Sequence, residues 1–279
     1  GTNYYNPNWG YQDGEKRNAK VANQFQPISI LSHDYSPNSK TRLHTAVAYQ
    51  FGKFKNSTLD WYNGADPRPD YYRYLPSYYN IEYLRNQTAI DEVTRDLLAE
   101  PDKSDLQLNW DRLYNVNYSN FETVNNVNGI AGNNVNGRRS VYVIANDVED
   151  VKKYTFNTVL DRVVNDHISI HTGITALSQQ TESYRELDDL LGGDFYVNYN
   201  QFAERQYVGN TTVRQNDANN PNQVIKVGDK YGYHYINHFF KTWWWGQASF
   251  TYNKVDFFIA ANAGYNSFNR EGIFRNGLF

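Results

Sequence analysis

The strongest signal along the chain is a period-two alternation of apolar and polar residues, in widely separated blocks. From Leu43 to Phe51, the residues Leu43, Thr45, Val47, Tyr49 and Phe51 fall on one side of an extended chain, and His44, Ala46, Ala48 and Gln50 on the other. From Ile168 to Gln180 the pattern returns in more polar form. Ile168, Ile170, Ile174 and Ala176 share one side, and His167, Ser169, His171, Gly173, Thr175 and Gln179 the opposite one. The clearest hairpin spans Trp243 to Phe268, with Asn253-Lys254 as a two-residue turn. Its register sets Tyr252 opposite Val255, Phe250 opposite Phe257, Ala248 opposite Ile259, Gly246 opposite Ala261 and Trp244 opposite Ala263. The other side collects Gln247, Ser249, Thr251, Asp256, Asn262, Gly264 and Asn266, with Phe258 as the exception.

Facing also sets the remaining turns. A three-residue loop, Asn165-Asp166-His167, aligns Tyr154, Phe156 and Leu160 with Ile170 and Ile174, and leaves Arg162 on the apolar side. A third hairpin is expected at Ser36-Pro37-Asn38-Ser39, joining a strand that ends near His33 to the Leu43 strand. Residues 55–139 and 182–225 lack convincing alternation and read as long loops. Within them, Thr88–Glu100 is predicted as a helix with Ile90, Val93 and Leu97 at helical spacing and Pro101 as its stop. Tyr184–Leu191, followed by Gly192-Gly193, is predicted as a second. Val127–Gly137, rich in Asn and Gly, reads as a mobile segment. No tandem repeat is present.

Composition narrows the classes. The 279 residues include 25 Tyr, 15 Phe and 6 Trp, yet the mean hydropathy is -0.77. Such a chain is polar but too aromatic to be disordered. No apolar run approaches the roughly 18 residues of a spanning helix. A net charge of -3 and a pI of about 6.1 lack the basic footprint of a nucleic-acid binder. The absence of Cys excludes disulfides, thiolate metal sites and Cys nucleophiles. Met is absent too, where average usage gives on the order of six, and the first residue is Gly1. An inner portion of a longer polypeptide is therefore expected, with Phe279 as a cut end.

Long alternating strands, aromatics near their ends (Tyr49, Phe51, Tyr252, Tyr265 and the Trp243-Trp244-Trp245 run), and short turns opposing long loops match a transmembrane β-barrel. Its physical cause is hydrogen bonding: no water in the bilayer core satisfies an open sheet edge, so only helices and closed barrels span it. The fold class expected is all-β, an antiparallel transmembrane barrel segment forming an arc of a larger barrel, its long extracellular loops carrying short helices. Residues 1–279 form part of one such domain. Alternation alone also fits a soluble surface-exposed β-domain that binds carbohydrate or peptide, and a small complete barrel acting as an enzyme or adhesin is a further alternative.

Several stretches resemble one family. Asn6-Pro-Asn-Trp-Gly-Tyr-Gln-Asp-Gly, Arg17-Asn-Ala-Lys-Val, Ser32-His-Asp-Tyr, Val47-Ala-Tyr-Gln-Phe-Gly and Asn109-Trp-Asp-Arg-Leu-Tyr are similar to the barrel of TonB-dependent outer-membrane receptors. So is Leu59-Asp-Trp-Tyr-Asn-Gly-Ala-Asp-Pro-Arg-Pro-Asp-Tyr-Tyr-Arg-Tyr-Leu-Pro-Ser-Tyr, whose Trp61–Tyr78 portion is the most specific. The similar subgroup carries an N-terminal carboxypeptidase-regulatory-like domain, and the likeness runs from Asn6 to Arg275. The resemblance implies a Gram-negative outer-membrane location, a barrel of about 22 strands with a plugged lumen, and nutrient import driven through TonB. Outer-membrane lipid, a nutrient ligand (glycan, peptide or chelate), TonB acting through a plug domain that is not in this chain, and a surface lipoprotein are the partners it implies. About eight to ten strands are expected here, too few to close such a barrel.

Reactive motifs are scarce. There is no Gly-x-Ser-x-Gly, no P-loop and no His-Glu-x-x-His. His167 and His171 would chelate from a helix, but on a strand they stand roughly 13 Å apart. Asp60, Asp66 and Asp70 offer oxygen ligands without the order of an EF-hand. No catalytic residue, metal or cofactor is expected, and the chain is read as a non-enzyme. The candidate ligand-binding residues are Trp61, Tyr62, Arg68, Tyr71, Tyr72, Arg73, Tyr74, Tyr78 and Tyr79. Flat rings, phenols and guanidinium groups suit stacking on sugars, peptides or aromatic chelates; the same rings could instead pack the loop on itself. For the Trp243–Trp245 run, a membrane-interface belt is favoured over a binding platform.

Overall fold

The computed structural model describes residues 6–80, 85–99 and 106–278. Its centre is one antiparallel sheet of β1 (Ala22–Phe25), β2 (Ile28–Asn38), β3 (Thr41–Trp61), β4 (Tyr142–Asn165), β5 (Ile168–Asp189), β6 (Lys230–Tyr252) and β7 (Val255–Gly272). Neighbours in the sheet are neighbours in the chain, except that β1 and β2 lie end to end along β3. The sheet is thus six strands wide, against the eight to ten expected. It does not close: β2 and β7 each pair on one side only among the described residues. Between β1 and β2 the edge breaks at Gln26-Pro27, since Pro27 has no amide hydrogen to donate. Gly52 faces this break at φ +122, and a Cβ there would come within 2.0 Å of the Phe25 carbonyl oxygen, so only glycine fits.

The β6–β7 hairpin has the register read from the sequence, in all five pairs from Tyr252/Val255 to Trp244/Ala263. The β4–β5 turn is two residues, Asp166-His167, with a register shift between Val163 and Asn165. The extra residue enters through that irregularity rather than the loop, and Ile170 still faces the side of Leu160 and Arg162. At the third hairpin the turn moves to Ser39-Lys40, with Asn38 opposite Thr41 and a shift after Tyr35.

Two expectations for the long connections are corrected. Tyr184–Leu191 is not a helix: β5 continues to Asp189, with Tyr184 paired to Val148 and His234. Residues 55–61 are not loop but the last third of β3, paired with β4 as far as Trp61/Tyr142. The helix expected at Thr88–Glu100 is α1 (Gln87–Ala99); Glu100, Pro101 and Phe279 lie outside the described residues. The Val127–Gly137 segment is pinned rather than loose. Val127 is buried, the Asn126 carboxamide accepts from the Gly132 amide, and the Gly129 amide donates to Pro221.

One sheet face carries Leu31, Tyr35, Leu43, Val47, Tyr49, Phe51, Tyr154, Phe156, Leu160, Ile170, Ile174, Trp244, Phe250, Phe257, Ile259 and Tyr265, sharing a side by register. None of these side chains is buried, and Tyr154, Ile174, Trp244 and Ile259 are 56, 45, 42 and 64% exposed. Rings cluster at the two margins of the band, as Phe51–Tyr49–Tyr154 with centroids 5.2 and 4.7 Å apart, and as Phe250–Phe257 at 4.7 Å. Above the band the same face turns charged, with Lys53, Lys55, Asp150, Lys152, Glu182 and Glu186. Behind the band the opposite face is polar, with His44–Asp34 at 3.0 Å, His171–Asp161 at 2.7 Å and Asn157–Thr175 at 2.7 Å. The tryptophan run is not at a margin. Trp244 sits mid-band, while Trp243 and Trp245 face the polar side and Trp245 closes over Gly173.

At the end of the sheet away from the short turns, the long connections fold into a cap that covers both faces. On the polar face Val143, Ala145 and Leu187 pack with Tyr62, Phe195, Val197, Ile225 and Tyr231. On the apolar face Tyr142 and Ile144 pack with Leu108, Leu191 and the Trp110 and Leu113 side chains of α2 (Trp110–Ser119). Asn109 caps α2 by accepting from the Arg112 amide. Asn117, fully buried on α2, joins the layers. Its amide nitrogen donates to the carbonyls of Tyr142, Leu190 and Leu191, and its oxygen accepts from the amides of Val141 and Tyr142.

Candidate functional site

The residues singled out from the sequence divide into two groups. Tyr62 follows β3 directly and is 5% exposed, inside the polar-face core. Its hydroxyl donates to Glu204 and Arg139 stacks on its ring at 5.1 Å. Burial, reinforced by Glu204, raises the phenol well above its ordinary pKa. Tyr62 is therefore a structural post of the cap and does not face a ligand from outside.

The other eight lie nearer the surface. Trp61 ends β3, and the Arg68 guanidinium lies 5.6 Å from its ring centroid. Arg68 forks onto the Asp66 carboxylate, and the Asp66 side chain also accepts from the Arg68 amide, closing a tight turn. Beyond it, Tyr71, Tyr72, Tyr74, Tyr78 and Tyr79 form a chain of edge-to-face rings, with centroids 4.8–5.6 Å apart. Pro76 starts the single helical turn Pro76–Tyr79 that places the last two. The loop is tied to the cap because Tyr142 donates to the Ala65 carbonyl at 2.8 Å, and Gly64 packs where a Cβ would meet Val141 and Tyr142.

Self-packing leaves a usable outer surface. Tyr72 is 54% and Tyr74 37% exposed. Arg73 lies over the Tyr72 ring and donates to its hydroxyl at 2.9 Å, which holds that phenol below its ordinary pKa. The arrangement offers flat apolar faces edged by phenols and one guanidinium. It suits stacking and orientation of a ligand; it contains no paired acid and base and no nucleophile held against one. Asp60, Asp66 and Asp70 do not converge: Asp60 pairs with Arg185, and Asp66 with Arg68. Among the described residues no group of three His, Asp or Glu side chains has metal-binding geometry.

Sequence reasoning missed a second constellation. On the polar face directly beneath the cap, Arg185 donates to Asp60 at 3.0 Å and Asp147 at 2.9 Å. Tyr231 donates to Asp60 at 2.8 Å and Tyr233 to Asp147 at 2.9 Å. Burial opposes the charge on Arg185, but the two carboxylates outweigh it and hold the guanidinium above its ordinary pKa. Four separate elements of the chain thus meet at one cation. The signal was the alternation of Ser183, Arg185 and Leu187 against Tyr184 and Glu186, which continues the β5 pattern past Thr181.

No family model, curated protein or solved structure matches the chain.

Proposed function

We propose that this chain is an arc of the wall of a TonB-dependent outer-membrane receptor, taking up a nutrient ligand through its capping loops and passing it inward without chemical change. What carries the membrane reading is the slant of the exposed apolar band. Through the sheet register Leu43 on β3 stands in line with Ala261 on β7, yet the lower limit of the band on β7 is Val255, six residues further down. Likewise Phe51 aligns with Asn269, whereas the upper limit on β7 is Tyr265, four residues down. A drop of four to six residues over four strand steps, at about 3.4 Å per residue and 4.8 Å per step, is a tilt of roughly 35–47°. This is the tilt of strands in a membrane barrel, and nine to eleven residues per strand is its spanning length.

In water, an exposed apolar area on the order of 600 Å² or more in projection would be at or beyond the largest patch of ordinary monomers. The unpaired edge at β7 supports the same reading. Neither the strand-blocking Pro nor an inward charge interrupts β7 between Phe257 and Tyr265, so that edge is built to be paired. Six tilted strands are too few to close, and further strands complete the wall.

The receptor reading adds the resemblance of Trp61–Tyr78 to the family, together with the exposed Tyr72–Arg73–Tyr74 surface. Its test is uptake by cells bearing the whole receptor. Trp61→Ala with Tyr72→Ala should lower uptake while surface abundance stays constant; unchanged uptake would reduce the loop to scaffold. Detergent dependence separates this function from a soluble glycan- or peptide-binding β-domain. Protein that stays monodisperse in plain buffer would favour the soluble domain.

A further inference from the structure

Just above the apolar band, on the same outer face, a cavity of about 830 Å³ opens between the segment Arg17–Phe25 and the upper ends of β3 and β4. Lys53, Lys55 and Ser57 line its floor, with Arg17 on one wall and Asp188 on the other. Three cations and one carboxylate therefore face the space. The cations have partners, Asp189 for Arg17 (2.5 Å), Asp150 for Lys53 (3.5 Å) and Glu186 for Lys55 (2.6 Å). None of those three carboxylates lines the cavity. Lys53 has the most exposed side chain of the three, at 47%, and also donates to the Tyr184 hydroxyl at 3.2 Å.

Phe25 and Phe51 form the lower lip of the cavity. Below them, on the same strand β3, Phe51 stacks on Tyr49. Tyr49 lines a second groove of about 540 Å³, whose apolar walls include Leu31, Val47, Tyr154, Phe156 and Phe240. A chamber lined by three cations and one carboxylate thus leads across an aromatic lip to an apolar groove that crosses from β2 to β6 at the level of Val47 and Tyr49. Neither half alone specifies a ligand; their succession along one strand matches an amphiphile with an anionic head and a hydrocarbon chain.

The geometry points to a binding site for a phosphate-bearing lipid, with the phosphate at Lys53, Lys55 and Arg17 and one acyl chain over Phe51 and Tyr49 into the Val47–Phe156 groove. This inference rests on the membrane reading of the apolar face. It adds that one lipid is held in a fixed place, rather than the face being wetted by lipid at large.

The test is native mass spectrometry of the full chain, released from detergent micelles equilibrated with equal amounts of dioleoyl-phosphatidylglycerol and dioleoyl-phosphatidylcholine. Retention should favour the anionic lipid on the order of tenfold, and Lys53→Gln with Lys55→Gln should abolish that preference. Lys153→Gln with Lys241→Gln, the same charge loss on the polar face, should leave it intact. Lys53→Gln alone keeps the test available should the double variant fail to fold, and should weaken the preference by itself. Equal retention of the two lipids, or equal loss in the polar-face variant, would overturn the site. Displacement of the lipid by soluble glycerol phosphate would show that the pocket reads a free anion instead. Failure of the membrane reading looks different: the protein would stay dispersed without detergent and retain neither lipid.

Discussion

The two ends of the same sheet live under different solvation. At the cap, β4 is covered on both faces, and Val143 on the polar face and Ile144 on the apolar face are 0 and 4% exposed. Toward the short turns, Val47 and Ile259 on the apolar face and Phe258 on the polar one are 44, 64 and 66% exposed, with no second layer of protein against either side among the described residues. Secondary structure is the same at both ends, so backbone pairing does not explain the difference. What changes is what lies against the faces: protein at the top, and below it none among the described residues. A half-bare sheet is stable only if its surroundings match its faces.

The sharpest contrast is between two valines of one sheet. Val143→Asp places a carboxylate between two packed layers and should cost more than about 4 kcal/mol, abolishing the folded cap in any detergent. Circular dichroism melting and protease resistance of the cap measure it. Asn117→Ala comes next. It strips a partner from five backbone groups, of which the Leu190 carbonyl keeps the Ser140 hydroxyl and the Gly193 amide, and should cost roughly 3–5 kcal/mol, read as loss of amide-exchange protection at Val141 and Tyr142. If protection there is unchanged, Asn117 does not join the layers as described.

Val47→Arg is the counterpart on the bare half. In a bilayer it should cost about 2–4 kcal/mol and lower the yield of membrane-inserted protein, whereas Ala46→Arg, one residue away on the polar face, should be nearly neutral. In a soluble protein the two would be equally mild, which makes the pair a direct attack on the comparison. The smallest effect expected is one of pH. Glu182 is hydrogen-bonded to Lys230 and His234; desolvation raises its pKa, but these two partners outweigh that and hold it below its ordinary value of 4.5. A depressed carboxylate contributes stability that is fully present above about pH 4.5 and fades as pH falls through the lowered value. Wild type should therefore lose stability below pH 4.5 more steeply than Glu182→Gln, as followed by melting temperature.

How legible each half was follows from the same physics. The β6–β7 register could be read pair by pair because one side of each strand is apolar and the other polar, and a one-residue slip would invert both. At the cap that contrast disappears. Val141, Val143, Ile144 and Ala145 form a continuous apolar run because both faces are buried, and no strand was read there. Tyr184, Leu187 and Leu191 have helical spacing by coincidence, which concealed the end of β5 and with it Arg185. In the candidate site, the aromatic composition singled out one loop, and the structure gathers its Tyr71, Tyr72, Tyr74, Tyr78 and Tyr79 rings into one cluster. Burial of Tyr62 and the packing of Tyr71 against Tyr72 and Tyr74 depend on where Glu204, Arg139 and Tyr142 arrive, and nothing local encodes that.

Whether the alternating faces meet lipid and water can be measured one residue at a time. Nitroxides placed singly at positions 256 to 265 of β7, in protein reconstituted into bilayers, report collision with dissolved oxygen, which concentrates in hydrocarbon, and with a water-soluble nickel chelate. The expected result is a period of two in opposite phase, with oxygen favoured at 257, 259, 261 and 263 and nickel at 256, 258, 260 and 262. Nickel access at all of these positions, or a period of two seen in detergent-free buffer with the protein fully dispersed, would contradict a membrane-facing band.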